Sequence, residues 1–207
     1  MKRLTALCAL IDPCESFIDV GCDHGQTVQY VCEHRLARRI TACDISAPSL
    51  EKAKKLLGEA ECVTFVCADG AAVAAGHETV FISGMGGREM CAVMAACRPQ
   101  TFVLSPQSHA YEVRAALLAG GYEIVHDEVI FDRKYYDAVK AVRSENATPQ
   151  RLGEAELFYG AFVRTKRNEA LIAKLQRLLA QAERFPPTQE NEAKKRRIRE
   201  VLSWQLR

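Results

Sequence analysis

The sequence predicts an α/β protein: a doubly wound sheet of seven strands that ends in an antiparallel hairpin, followed by an α-helical hairpin. Three observations carry that expectation. Up to about residue 130, apolar runs that suit strands covered on both faces alternate with amphipathic stretches, the rhythm of a parallel sheet wrapped by helices. Gly120-Gly121 then leads into two β-rich runs separated only by Asp132-Arg133-Lys134, the pattern of a hairpin. From Gly153 the apolar residues recur at helical spacing, and Pro186-Pro187 divides that stretch in two.

Each element has a local reason. A leading helix is expected from Leu4, Leu7, Cys8 and Ile11; Asp12-Pro13 follows where a signal peptide would need small residues. "FIDVG" (17–21) is the first strand, residues 26–38 the helix after it, and "RITACDI" (39–45) the second strand. In "SAPSLEKAKKLLGEA" (46–60), Ser46 suits an N-cap, Pro48 the first turn and Gly58 a terminator. "CVTFVCADG" (62–70), "TVFISGMGG" (79–87) and "TFVLSPQ" (101–107) supply the next three strands, with a helix over 111–118. "YEIVHDEVIF" (122–131) and "YYDAVKAV" (135–142) form the hairpin. Residues 1–150 are thus expected to be one ligand-binding domain and 151–207 a helical one. In the latter, Leu157, Ala161, Leu171, Ile172, Leu175, Leu178 and Leu179 stripe one helix, and Ile198, Val201, Leu202 and Leu206 the other.

At 207 residues, with 48% hydrophobic and 26% charged content, the chain suits a folded domain with an appendage and excludes a disordered protein. Nine cysteines without a single CxxC pair argue against a zinc site or a disulfide framework and for reduced, mostly buried thiols in a cytoplasmic protein. No run approaches the roughly 20 apolar residues of a membrane span. The net charge of +2 conceals an asymmetry: residues 151–207 carry thirteen Lys or Arg against seven Asp or Glu, which leaves residues 1–150 acidic. A basic tail on an acidic body suggests a polyanionic partner. Nothing in the sequence sets an oligomeric state, and a monomer is compatible with it.

The glycine loop after the first strand, "DVGCDHG" (19–25), is the chemical centre. Gly21-x-Asp23-x-Gly25 with Asp44 ending the next strand fits two ligand types. A dinucleotide would lay its pyrophosphate against the loop. Asp23 would then face phosphate with no Lys or Arg in the loop, and two like charges 4 Å apart repel by about 4 kcal/mol at an effective dielectric near 20. S-adenosyl-L-methionine carries a sulfonium and an ammonium and no phosphate, so the carboxylates favour it. Asp19, Gly21, Cys22, Asp23 and Gly25 are expected around its amino-acid end, Asp44 with Ile45 at its ribose, and Asp69-Gly70 at its adenine. Gly84, in "ISGMGG" (82–87), is expected to face both cofactor and substrate. Asp23, His24, Gly84, Met85 and Gln107 are the expected catalytic-site residues, Gln107 because its amide pairs a donor with an acceptor. Tyr136 and Met85 are candidates for stacking on a substrate ring.

These motifs, together with "LSPQSHAYEVR" (104–114) and "KYYDAV" (134–139), resemble the bacterial tRNA (adenine-22-N1)-methyltransferases over nearly the whole chain. The resemblance implies a Rossmann-like, class I S-adenosylmethionine-dependent methyltransferase with a C-terminal helical domain, acting on tRNA. The family's His-Ala-Tyr-Leu-Pro is here His24-Gly25-Gln26-Thr27-Val28, its Gln-Pro-Asn is Ser105-Pro106-Gln107, and its usual Glu is Asp44. On this reading Arg164, Lys166 and Arg167 on the first tail helix and Lys194, Lys195, Arg196, Arg197 and Arg199 on the second would hold the RNA backbone. No metal is expected. The alternatives are a small-molecule N- or O-methyltransferase and a catalytically silent RNA-binding protein of the same fold.

Overall fold

The computed structural model describes residues 2–58, 60–145 and 148–207. Its elements run α1 (Lys2–Cys8), β1 (Cys14–Val20), α2 (Gln26–Glu33), β2 (Ala37–Asp44), α3 (Ala47–Leu57), β3 (Val63–Cys67), α4 (Gly70–Val73), β4 (Thr79–Ser83), α5 (Gly87–Ala95) and β5 (Thr101–Ser105). They continue with α6 (Ala110–Ala119), β6 (Tyr122–Asp132), β7 (Lys134–Arg143), α7 (Glu154–Tyr159), α8 (Glu169–Ala182) and α9 (Gln189–Gln205). The strands form one sheet in the order β3-β2-β1-β4-β5-β7-β6. β1 to β5 are parallel, and β7 is antiparallel to both β5 and β6. The chain reverses its direction of sheet growth between β1 and β4, where open sheets of this kind bind ligands beyond the strand ends.

Alternation along the strands divides the core. Phe17, Ile40, Phe81 and Val103 pack under α1, α2 and α3, whereas Ile18, Ile82, Phe102 and Leu104 pack under α4, α5 and α6. Capping works as the residues suggest: the Ser46 hydroxyl accepts from the Ser49 N–H at 3.3 Å, Pro48 lies in the first turn of α3, and Gly58 closes it at φ 59°.

Two elements are shorter than periodicity suggests. The helix expected over 26–38 ends at Glu33, because Arg35 adopts φ 53° and the Leu36 N–H returns to the Val31 carbonyl at 3.0 Å. That turn frees Ala37 to pair with Cys14 and start β2 early. The first tail helix is really two. Gly160, at φ 133°, stops α7, and the Ala161 N–H donates to the Asp127 carboxylate at 2.8 Å. Asn168 then caps α8 through the Leu171 N–H.

The tail is bound to the sheet by charge as well as by apolar contact. Arg114 of α6, fully buried, donates to both oxygens of Asp127 at 2.7 and 2.8 Å, to Asp137 at 2.8 Å and to the Leu157 carbonyl at 3.1 Å. Lys174 of α8 reaches the other Asp137 oxygen at 3.0 Å. Two cations meet two carboxylates. Burial alone would raise the Asp137 pKa, but Lys174 and Arg114 hold it below the ordinary carboxylate value. Around this network Val129 of β6 packs with Leu171, Leu175, Ile198 and Val201.

At the other end of β6, Asp132 pairs with Lys134 and only Arg133, at φ 63°, lies between them. The β5–β7 pairing ends at Leu104↔Val139. The hairpin tip therefore projects past the carboxyl ends of the parallel strands.

Candidate functional site

The strand ends and their loops enclose an open cleft of about 420 Å³, lined by Arg3, Leu4, Asp19, Gly21, Cys22, Asp23, His24, Gln26, Thr27, Phe81, Ser83, Gly84 and Gln107. Asp19, Phe81 and Ser83 lie on the α1–α2 face of β1 and β4, which is why the cleft opens on that side of the sheet. Seven of the expected residues meet here: Asp19, Gly21, Cys22, Asp23, His24, Gly84 and Gln107.

Asp19 defines the electrostatics. Its side chain is fully buried, and burial pushes its pKa up to about 7, a rise that the Thr27 hydrogen bond reduces and the Asp44 charge increases. No cation among the described residues pairs with it. The thiols of Cys22 and Cys43 beside it are also pushed up by burial, so they stay protonated and do not compete as anions. The cleft floor is thus a carboxylate whose ionised form a positive charge brought from outside would favour.

The glycine loop is held from the next strand. Gly21 and Cys22 donate to the Cys43 carbonyl at 2.8 and 3.0 Å. One Asp44 oxygen accepts from the Asp23 N–H at 3.0 Å and the other from the Ser46 N–H at 2.8 Å. Asp23 takes φ 45°, with its carboxylate 3.0 Å from the His24 imidazole and 3.4 Å from the Ser49 hydroxyl. Gly25 starts α2 at φ 75°, and a Cβ there would lie 2.9 Å from that of Ala53. It is a packing glycine at the loop's exit and does not line the cleft.

Asp44, Ile45, Asp69, Gly70 and Met85 also lie outside the cleft lining. Ile45 is 79% exposed at the end of β2, an uncovered apolar side chain beside Asp44. Asp69 caps α4 through the Ala71 N–H at 2.9 Å, and Gly70 is required by Val20, whose methyl would sit 2.2 Å from a Cβ. Met85 is half-buried against the core, and its methyl lies 3.9 Å from where a Cβ on Gly21 would stand. Of the three glycines after β4, only Gly84 takes a positive φ (81°); Gly87 is needed because the Ser108 and His109 carbonyls crowd it.

The loops after β4 and β5 are stitched together by three backbone bonds: Gly84 N–H to Ser105, Gln107 N–H to Met85, and Gly87 N–H to Ser108. Ser83 and Ser105 are register partners there, and their buried hydroxyls have no hydrogen-bond partner among the described residues. Sequence reasoning missed Arg3, Leu4, Gln26, Thr27, Phe81 and Ser83. Thr27 could have been found from its position one turn after the loop; Arg3 carries no local signal at all.

The basic tail is less free than its composition suggests. Arg164 pairs with Glu156, Arg167 with Glu169, Lys195 with Glu192, Arg197 with Glu154 and Arg199 with Glu183. Arg164 and Arg197 also lie over the Trp204 and Phe158 rings, and Lys195 is mostly buried. Lys166, Lys194 and Arg196 make no ion pair among the described residues. Those residues hold no cluster of three or more potential metal ligands, and no helix is long and apolar enough to cross a membrane.

Strand order, glycine loop and a buried carboxylate at the switch point define an open α/β protein that binds its ligand beyond the strand ends. Residues 1–139 match the methyltransferase-domain family, and the chain belongs to it. A Mycoplasma pneumoniae protein provisionally named a tRNA methyltransferase is 29% identical over 152 residues, 70% of this chain and 71% of that one. A Streptococcus pneumoniae structure in complex with S-adenosyl-L-methionine, provisionally a tRNA (m1A22) methyltransferase, superposes with a TM-score of 0.88 at 20% identity, covering 98% of this chain and 99% of the other. The B. subtilis m1A22 tRNA methyltransferase superposes with a TM-score of 0.77 at 20% identity, covering 99% and 96%. The shared fold includes the C-terminal helices.

Proposed function

We propose that the chain is an S-adenosyl-L-methionine-dependent methyltransferase acting on N1 of adenine 22 in tRNA, in the cytoplasm. The observation that carries the reading is the buried Asp19 carboxylate at the floor of the cleft, with no cation paired to it among the described residues. It suits a ligand with an ammonium and a sulfonium and disfavours a pyrophosphate. The relatives' tRNA assignments and the full-length superposition onto m1A22 enzymes support the substrate.

The residues fit the cofactor. Asp19, Gly21, Cys22 and Asp23 would hold its amino-acid end, Asp44 its ribose hydroxyls through the lone pairs left beside the backbone bonds, and Ile45 with Asp69-Gly70 its adenine. When bound it supplies a methyl group on a sulfonium. Adenine N1 carries an in-plane lone pair at neutral pH, so the chain needs no strong base, only alignment and polar groups for the positive charge that develops. Gln107 and the unpartnered Ser83 and Ser105 hydroxyls can orient a base edge. The paired Asp23 and His24 stand at the same cleft wall to stabilise that charge. Because N1 is occupied in a base pair, the adenine must enter unpaired or flipped.

The test is incubation with labelled S-adenosylmethionine and bulk tRNA followed by nucleoside analysis. The expected product is 1-methyladenosine, and methylation of small molecules but not tRNA overturns the reading. NADH should not bind at micromolar concentration, because the loop repels its pyrophosphate.

A further inference from the structure

The hairpin tip carries a cluster of exposed cations and aromatic rings. Arg133 and Lys134 are exposed and make no salt bridge or side-chain hydrogen bond among the described residues. Arg133 forms the one-residue connection in the left-handed region, where glycine or asparagine would cost less. Phe131 is 54% exposed and lies 5.0 Å from the ring of its register partner Tyr135. On the opposite face, the Arg3 guanidinium lies 4.6 Å from the Tyr136 ring centroid while lining the cleft. The Arg3 N–H donates to Asp132 at 3.2 Å, which ties α1, the cleft mouth and the tip into one surface.

Alternation assigns the two faces. Ile130 and Tyr136 face α1 and the cleft, whereas Val129, Phe131 and Tyr135 face the C-terminal helices. The tip thus stands between the cleft and the tail, with an aromatic on each side and two exposed cations at its crest. Cations that track a backbone, interleaved with exposed rings on which bases stack, are what a single strand of nucleic acid requires. The tail, where five of the eight cations expected to hold RNA already have a glutamate, offers less.

We propose that the β6–β7 tip, together with Arg3, grips the unpaired RNA strand beside the target nucleotide: Arg133 and Lys134 take phosphates, and Phe131 takes a base. This rests on the tRNA reading above. The test compares full-length wild type with Arg133→Ala/Lys134→Ala and with Arg38→Ala/Arg39→Ala. The second pair removes the same charge from exposed positions at the opposite end of the sheet. Melting temperature and S-adenosylmethionine affinity, expected to be unchanged, establish folding.

At about 0.7 in salt slope per single-strand phosphate contact, the tip variant should weaken tRNA binding about tenfold at physiological salt and flatten the slope by about 1.4. Its KM for tRNA should rise in step, with kcat within about twofold, and the control pair should bind like wild type. Phe131→Ala should weaken binding about fivefold or more with the slope unchanged, because stacking releases no counterions. Tip variants that bind tRNA like wild type, or a control that loses as much, overturn the inference while leaving the tRNA reading standing. A wild-type protein that neither binds nor methylates tRNA overturns both.

Discussion

Asp19 and Asp137 are two buried carboxylates in one sheet, and they have opposite fates. Asp137 has Arg114 and Lys174 beside it and is held ionised, whereas Asp19 has a threonine hydroxyl and a second carboxylate nearby and is pushed up to about 7. Burial is common to both, so the partner decides. A cation inside the chain makes a carboxylate a structural joint. A missing cation leaves a binding site.

The largest way to break this comparison is at the joint. Arg114→Leu leaves Asp127 and Asp137 in the interior with Lys174 as the one cation of the network, and the expected loss is about 3–5 kcal/mol by denaturant unfolding. A loss below about 1 kcal/mol would show that the network carries no stability. The joint also predicts that the tail resists removal: a chain cut before Glu154 loses Lys174 and the helices that cover Val129, and it should unfold at a lower temperature than the full protein.

The next effect is at Asp19 and has a definite sign. Its folded pKa is raised, so the folded protein keeps a proton that the unfolded chain has released. Stability from this group is full below the ordinary carboxylate value of 3.8 and drains as pH rises through about 7. The drain is at most about 4 kcal/mol, and Asp19→Asn should abolish it. Denaturant titrations of both proteins at pH 5 and pH 8 measure it; parallel pH profiles would remove the argument. Binding a cationic ligand at pH 7 should also release about half a proton, readable as a buffer-dependent calorimetric heat.

The smallest effect concerns Asp44. Asp44→Ala removes acceptors for two backbone donors as well as the expected ribose contact. It should weaken S-adenosylmethionine by about 1–3 kcal/mol. Unchanged affinity in a folded variant would leave Asp44 as a loop brace alone.

Elements with local causes were legible in the sequence. Ser46, Pro48 and Gly58 bound α3, paired glycines and a polar turn announce the hairpin, and acids at strand ends mark the ligand side. Long-range geometry was not. Arg114 looks like one basic residue on a helix, because its partners lie at 127, 137 and 157, and nothing local marks them. Arg3 reaches the cleft only through Asp132 and Tyr136. The basic tail misled because composition counts charges but not the glutamates that neutralise them.

The stitching of the β4 and β5 loops has a consequence for how substrate choice can change. Three backbone bonds and the Gly87–Ser108 approach fix each loop's shape by the other's. A graft of 83–87 that brings a side chain at position 87 would press on the Ser108 and His109 carbonyls, and a graft of 105–109 alone would arrive without the loop whose backbone bonds shape it. The two segments form one cassette, and redesign toward another substrate has to exchange both at once.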